Sequence, residues 1–182
     1  RKGAPPFSPK DQKSFVASKK MKREESPFQL QDVENDKPVS INNCSCYWNE
    51  YRKCHIMIAS EQGGATMLGE VWYSEANQPE GPWIQARKII THANKKNDAH
   101  DFYNPTQHPF YDQDGGRLIY FEGTYTASFS GAKEQTPRYD YNQIMYRLAL
   151  DDARLNLPVP VYRMKSANRE SRYLTREGVE RE

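Results

Sequence analysis

A chain of 182 residues, 36% of them hydrophobic, has room for one domain with a tail, and a mean hydropathy of -0.99 places it at the polar end of globular proteins. Its net charge of only +2 gives no global attraction to nucleic acid, and no run of 18 apolar residues is present to form a membrane-spanning helix. The 12 Tyr and 3 Trp suit strands and carbohydrate-binding surfaces better than a helical bundle, and 3 Cys, an odd number, argue against a purely paired disulfide framework.

Residues 1–40 are rich in Lys, Ser, Pro and Gln, with few aliphatics, and are expected to form a linker or an extended basic arm. Within them, residues 1–25 carry eight Lys or Arg against three Asp or Glu, a pattern whose commonest meaning is a solvated linker. The chain opens on Arg1 rather than Met and shows no signal peptide, so a processed terminus or a longer parent chain is expected.

From Ile41 the pattern becomes short strands separated by turn chemistry. Cys44 to Tyr47 leads into the polar turn 48–53, and Cys54 to Ala59 returns as a nearly continuous apolar run, as in a strand covered on both faces. Gly63-Gly64 breaks that run, Gly69 to Ser74 reads as the next strand, and Trp83 to Thr91 follows the turn 77–82 as an outer strand. The theme recurs after a polar loop: Thr106 to Tyr111, a turn at 112–116, Arg117 to Thr126, and the period-two stretch Asn142 to Leu150. Leu157 to Val161 holds two prolines and is confined to an edge or extended segment, and the charged residues 164–182 predict a tail or a short terminal helix.

These are two similar antiparallel units at a repeat of about 45 residues, the spacing of propeller blades, with a two-sheet β-sandwich as the competing all-β arrangement. Ser74-Glu75-Ala76 followed by Gly81-Pro82-Trp83 resembles the strand-turn-strand that closes a blade in five-bladed propeller glycoside hydrolases. The hairpin around His108-Pro109 and Gly115-Gly116-Arg117-Leu118 is similar to the next blade of those families. Residues 28–163 as a whole resemble uncharacterised bacterial proteins with this propeller-like pattern, many of them exported. The resemblance implies a β domain over 41–163, an extracellular or periplasmic location, and a carbohydrate partner. Five blades need roughly five such units, and two are present. The chain is therefore expected to be the C-terminal part of a partial propeller, completed by further blades of a longer chain or by other copies.

Function is sought first in 101–125, DFYNPTQHPFYDQDGGRLIYFEGTY, which gathers carboxylates, a histidine and four tyrosines around one hairpin. Glu122 shares a strand face with Leu118 and Tyr120 by alternation, and a carboxyl in apolar surroundings has its charged form disfavoured, which prepares a general acid. A strand-end glutamate bonded to a neighbour is the competing role. The resemblance adds that glycosidases of this fold place an acidic residue on an inner strand before a glycine. Asp101 is the candidate partner carboxylate, since glycosidases need two carboxyls about 5–5.5 Å or about 6.5–9.5 Å apart. Glu70, inside an aromatic strand, and Asp140, between two tyrosines, are alternatives whose commoner role is a salt bridge or turn hydrogen bond.

His108, Asn104, Tyr103, Tyr120, Arg138 and Asn142 complete the candidate substrate-binding set, combining planar hydrogen-bonding groups with aromatic faces that suit sugars. Cys44, Cys46, Cys54 and His55 have no recognised zinc or haem spacing, so no metal is expected and buried free thiols are the commoner reading. Phosphate-loop, dinucleotide, nucleophile-elbow and zinc-protease motifs are absent, and no cofactor is expected. Two functions remain open: a glycoside hydrolase fragment using paired carboxylates, or a non-catalytic module binding carbohydrate or protein. Binding of nucleic acid through the basic arm is a third and weaker reading.

Overall fold

A computed structural model describes residues 9–22, 25–65, 67–92, 101–126, 141–159, 161–165 and 171–175. Among these the chain is mostly β, with antiparallel sheets and one α-helix. It divides into two units, Arg1–Ala149 and Leu150–Glu182.

The first unit opens with α1 (Pro9–Ala17) and β1 (Phe28–Asp32), and continues through β2 (Ile41–Asn49), β3 (Cys54–Glu61), β4 (Glu70–Ala76) and β5 (Trp83–Thr91). These strands make one sheet in the order β1-β5-β4-β3-β2, antiparallel throughout except that β1 runs parallel to β5. Two expectations change here. The described part of the expected N-terminal arm is a helix and a sheet strand, and Trp83–Thr91 is an inner strand because β1 covers its free edge. The physical reason is tertiary: the Trp83 N–H donates to the Pro27 carbonyl at 2.7 Å, and Leu30 is buried at 4% exposure.

The continuous apolar pattern of β3 has its expected cause, burial on both faces. Met57, Ala59, Trp72, Ala76 and Ala86 lie in one core cluster with Leu30 and Trp83. Ile56, Ile58, Val71 and Tyr73 fall on the opposite side by alternation and are fully buried.

The second sheet has the order β6-β7-β8, built from β6 (Asp101–Gln107), β7 (Leu118–Thr126) and β8 (Asn142–Ala149). The strand expected at Thr106–Tyr111 is displaced: β6 ends at Gln107, and Pro109–Tyr111 is a turn of 3-10 helix. Pro109 has no N–H to continue a ladder. Pro105 is accommodated because β6 is an edge strand and its register shifts between Tyr103 and Thr106, where Asn104 is left-handed at φ 54°. Gly123 in β7 lies against the Phe102 ring, leaving no room for a Cβ.

β6 lies along β2, β3 and β4, and side chains link its edge to that of β2. The Gln107 N–H donates to Ser45 Oγ at 2.9 Å, Asn49 Nδ2 donates to the Gly116 carbonyl at 2.8 Å, and the Asn43 and Asn104 amides bond directly. Ser60 Oγ orients Asn43 by donating to its Oδ1 at 2.7 Å.

In the second unit, Asp152 accepts from the Arg154 N–H and opens a 3-10 turn at Ala153–Leu155. Where a charged tail or helix was expected, β9 (Val161–Lys165) and β10 (Ser171–Thr175) pair as an antiparallel hairpin. The two strands join at the edges where each has backbone groups left to bond, which composition alone does not reveal.

One polar cluster is built into the first sheet. The Arg52 guanidinium donates to both Glu75 oxygens, at 2.6 and 3.2 Å, and the Tyr73 hydroxyl donates to Glu75 Oε1 at 2.6 Å. Burial first, and the Glu75 carboxylate next, push the Cys54 thiol up to about 12. Cys44, Cys46 and Cys54 are free thiols, with Cys44 exposed. Glu75→Gln removes the carboxylate that Arg52 and Tyr73 share and is expected to cost about 3 kcal/mol, read from urea unfolding of both proteins. Alkylation requires access and the thiolate. Desolvation raises the Cys44 thiol too, but Cys44 is exposed whereas Cys54 is buried, so mass mapping at pH 8 is expected to find label, slowly, on Cys44 in the native protein and on Cys54 only after unfolding.

Candidate functional site

The site grows from the point where β6 leaves the sheet. The His108 N–H donates to the Tyr120 carbonyl at 2.8 Å, a last rung before Pro109, and the Tyr111 N–H turns back to the His108 carbonyl at 2.9 Å. Pairing of Thr106 with Glu122 puts their side chains on one sheet face, and alternation adds His108 and Tyr120. His108 Nε2 then lies 3.2 Å from Glu122 Oε1, with the two side chains 18% and 35% exposed. Glu122 thus keeps the alternation expected of it, but it faces an imidazole and solvent rather than an apolar enclosure.

The 3-10 turn sets two aromatic rings beside this pair. Phe110 and Tyr111 are 74% and 53% exposed, their centroids are 4.4 Å apart, and the Phe110 ring lies 5.3 Å from the His108 imidazole. Exposed rings next to an imidazole–carboxylate pair offer apolar faces together with a fixed donor and acceptor. Reading 106–111 as a strand hid this platform, although Pro109 was the signal for it.

Asp101 is not brought to Glu122. It pairs with Thr126, four residues along β7, which is about 13 Å of strand and longer than either glycosidase spacing. It is 4% exposed, and its Oδ1 accepts from the Leu68 N–H at 3.3 Å, a loop-holding role.

Glu70 is fully buried and accepts from Thr91 Oγ1 at 3.1 Å. Glu61, absent from the sequence candidates, converges on it: their Oε2 atoms come within 2.6 and 2.8 Å of the point a Cβ on Gly64 would occupy. Trp72 Nε1 donates to Glu61 Oε2 at 2.8 Å. This carboxylate pair is close, but burial removes Glu70 from any substrate.

Tyr103 pairs with Thr124, and its phenol is pushed up by desolvation and then by the neighbouring Tyr141 hydroxyl, with Thr124 pulling it back. Asn104 is engaged with Asn43 across the β2–β6 seam. Asn142 pairs with Tyr125 at the start of β8. Of the substrate-binding candidates, the structure therefore gathers His108 and Tyr120 around Glu122 and assigns Asn104 to the seam. Arg138 and Asp140 lie outside the described residues.

Behind His108 sits a polar pair not singled out from sequence. The Asp112 carboxyl lies against the Gln107 amide and the Tyr120 backbone N–H, and burial pushes it up while those two donors pull it partly back. The contacts are poorly aligned: Asp112 Oδ1 and both polar atoms of Gln107, a residue 1% exposed, lack a partner of hydrogen-bonding geometry among the described residues.

A carboxyl raised on folding binds more protons in the native than in the unfolded state. Its contribution is full at acid pH and is lost as pH rises through the raised value. Asp112→Asn removes that loss. The melting temperature of the variant relative to wild type is expected to rise between pH 3 and pH 7, as followed by circular dichroism.

Comparison with protein-family models, with curated proteins and with solved structures finds no match for this chain.

Proposed function

We propose that the chain is a carbohydrate-binding protein of propeller type, in which Phe110 and Tyr111 stack on a sugar ring while His108 and Glu122 bond its hydroxyls. The observation that carries this reading is the exposed ring pair beside the 3.2 Å His108–Glu122 contact. Sugars present an apolar C–H face and a rim of hydroxyls, and the site offers a counterpart to each.

The blade reading draws support from two successive meanders, β2–β5 and β6–β8, whose first strands run along one another. Further blades, from a longer chain or from other copies, would complete the ring and form the second wall of the site. Binding is preferred to hydrolysis because Asp101 and Glu122 stand too far apart to share a glycosidic bond.

A glycan array probed with wild type, Phe110→Ala and Glu122→Gln tests the proposal, with turnover of each bound glycan assayed in parallel. Wild type is expected to bind without turnover, and each variant to lose about tenfold in affinity. Equal binding by all three proteins would sink the platform. Turnover abolished by Glu122→Gln would replace binding with hydrolysis.

A further inference from the structure

A concave site lies between α1 and β1, lined by none of the residues around His108. Its volume is about 560 Å³, within the range of small-molecule clefts, roughly 300–1,000 Å³. The floor is β1 with the segment beside it, where the Val39 N–H donates to the Leu30 carbonyl at 2.9 Å. Val16, Phe28, Leu30 and Val39 line an apolar wall, and Gln12 and Lys13 of α1 supply the polar end.

The polar end is built rather than incidental. Gln12 is only 7% exposed, and its Oε1 accepts from Ser26 Oγ at 2.7 Å. That bond fixes which way the amide points and leaves Nε2 as a donor with no partner among the described residues. Lys13 has no carboxylate partner among them either, and it brings a positive charge to the same end. The amide therefore has a donor to offer to an acceptor oxygen.

We propose that this cavity binds an amphipathic carboxylic acid of medium chain length, its carboxylate taken by Gln12 Nε2 and Lys13 Nζ and its hydrocarbon by the apolar wall. The chemistry of the two ends selects the class: one cation and one neutral donor match the two oxygens and single charge of a carboxylate. The side chains of Val16, Phe28, Leu30 and Val39 favour a hydrocarbon tail, with Gln29 and Ser40 also in the lining. This site is independent of the proposed sugar site.

Titration calorimetry of the whole chain with octanoate, octanol and octylamine tests it. Octanoate is expected to bind, octanol about tenfold more weakly, and octylamine not at all. Lys13→Glu, a surface change that leaves melting unaltered, is expected to cost octanoate at least about tenfold. Val16→Trp, which fills the cavity, is expected to abolish binding. Absence of octanoate binding to wild type would overturn the proposal, as would equal affinity for all three probes. So would octanoate binding that neither substitution changes.

Discussion

Strands β3 and β4 hide both of their faces, and that requirement fixes where the rest of the first unit can go. The face carrying Met57, Ala59 and Trp72 forms one buried cluster with Leu30 of β1 and Trp83 and Ala86 of β5, strands of the same sheet. The face carrying Ile56, Ile58, Val71 and Tyr73 needs a cover, and β6 lies against both strands. Fully burying a large apolar side chain contributes about 1.5–3 kcal/mol, so the cover that β6 supplies is not dispensable. The cluster of Arg52, Glu75 and Tyr73 tolerates burial in the same sheet only because its charge and hydroxyl are mutually satisfied.

The candidate site is the by-product of a strand that stops. With Pro109 unable to donate, β6 leaves the ladder after His108, and the short turn that follows has nowhere to bury Phe110 and Tyr111. The same backbone that denies those rings a core aligns His108 with Glu122, because the bulge at Asn104 resets the β6 register before Thr106. A backbone irregularity, rather than any single reactive residue, places the functional groups.

Much of this was legible in the residues and some was not. Alternation in Asn142–Ala149 and the apolar run from Cys54 announced their strands, since side-chain period is a local property. β1 gave only a short signal: Phe28 and Leu30 alternate with Gln29 and Gln31 over too few residues to stand alone, and the strand docks in parallel on β5, far away in sequence. Glu122 and His108 were each visible as candidates, but their contact depends on cross-strand register. Asp101 looked like a partner for Glu122 for the same reason, and the register separates them. Glu61 and Asp112 went unnoticed because their neighbours, Glu70 and Gln107, are brought to them by loops and turns.

The seam between β2 and β6 has a consequence for how this chain behaves in a crowded solution. Two edge strands side by side would normally expose rows of free peptide groups, templates for strand addition by any passing extended chain. Here Ser45 Oγ occupies the outward N–H of Gln107 and Asn43 is bonded to Asn104, while Asn49 takes the Gly116 carbonyl of the 3-10 turn that precedes β7. Hydroxyls and amides of one edge thus blunt the other without merging the two sheets into one continuous ladder. Removing them would leave the fold's pairing rules intact while opening a path to aggregation.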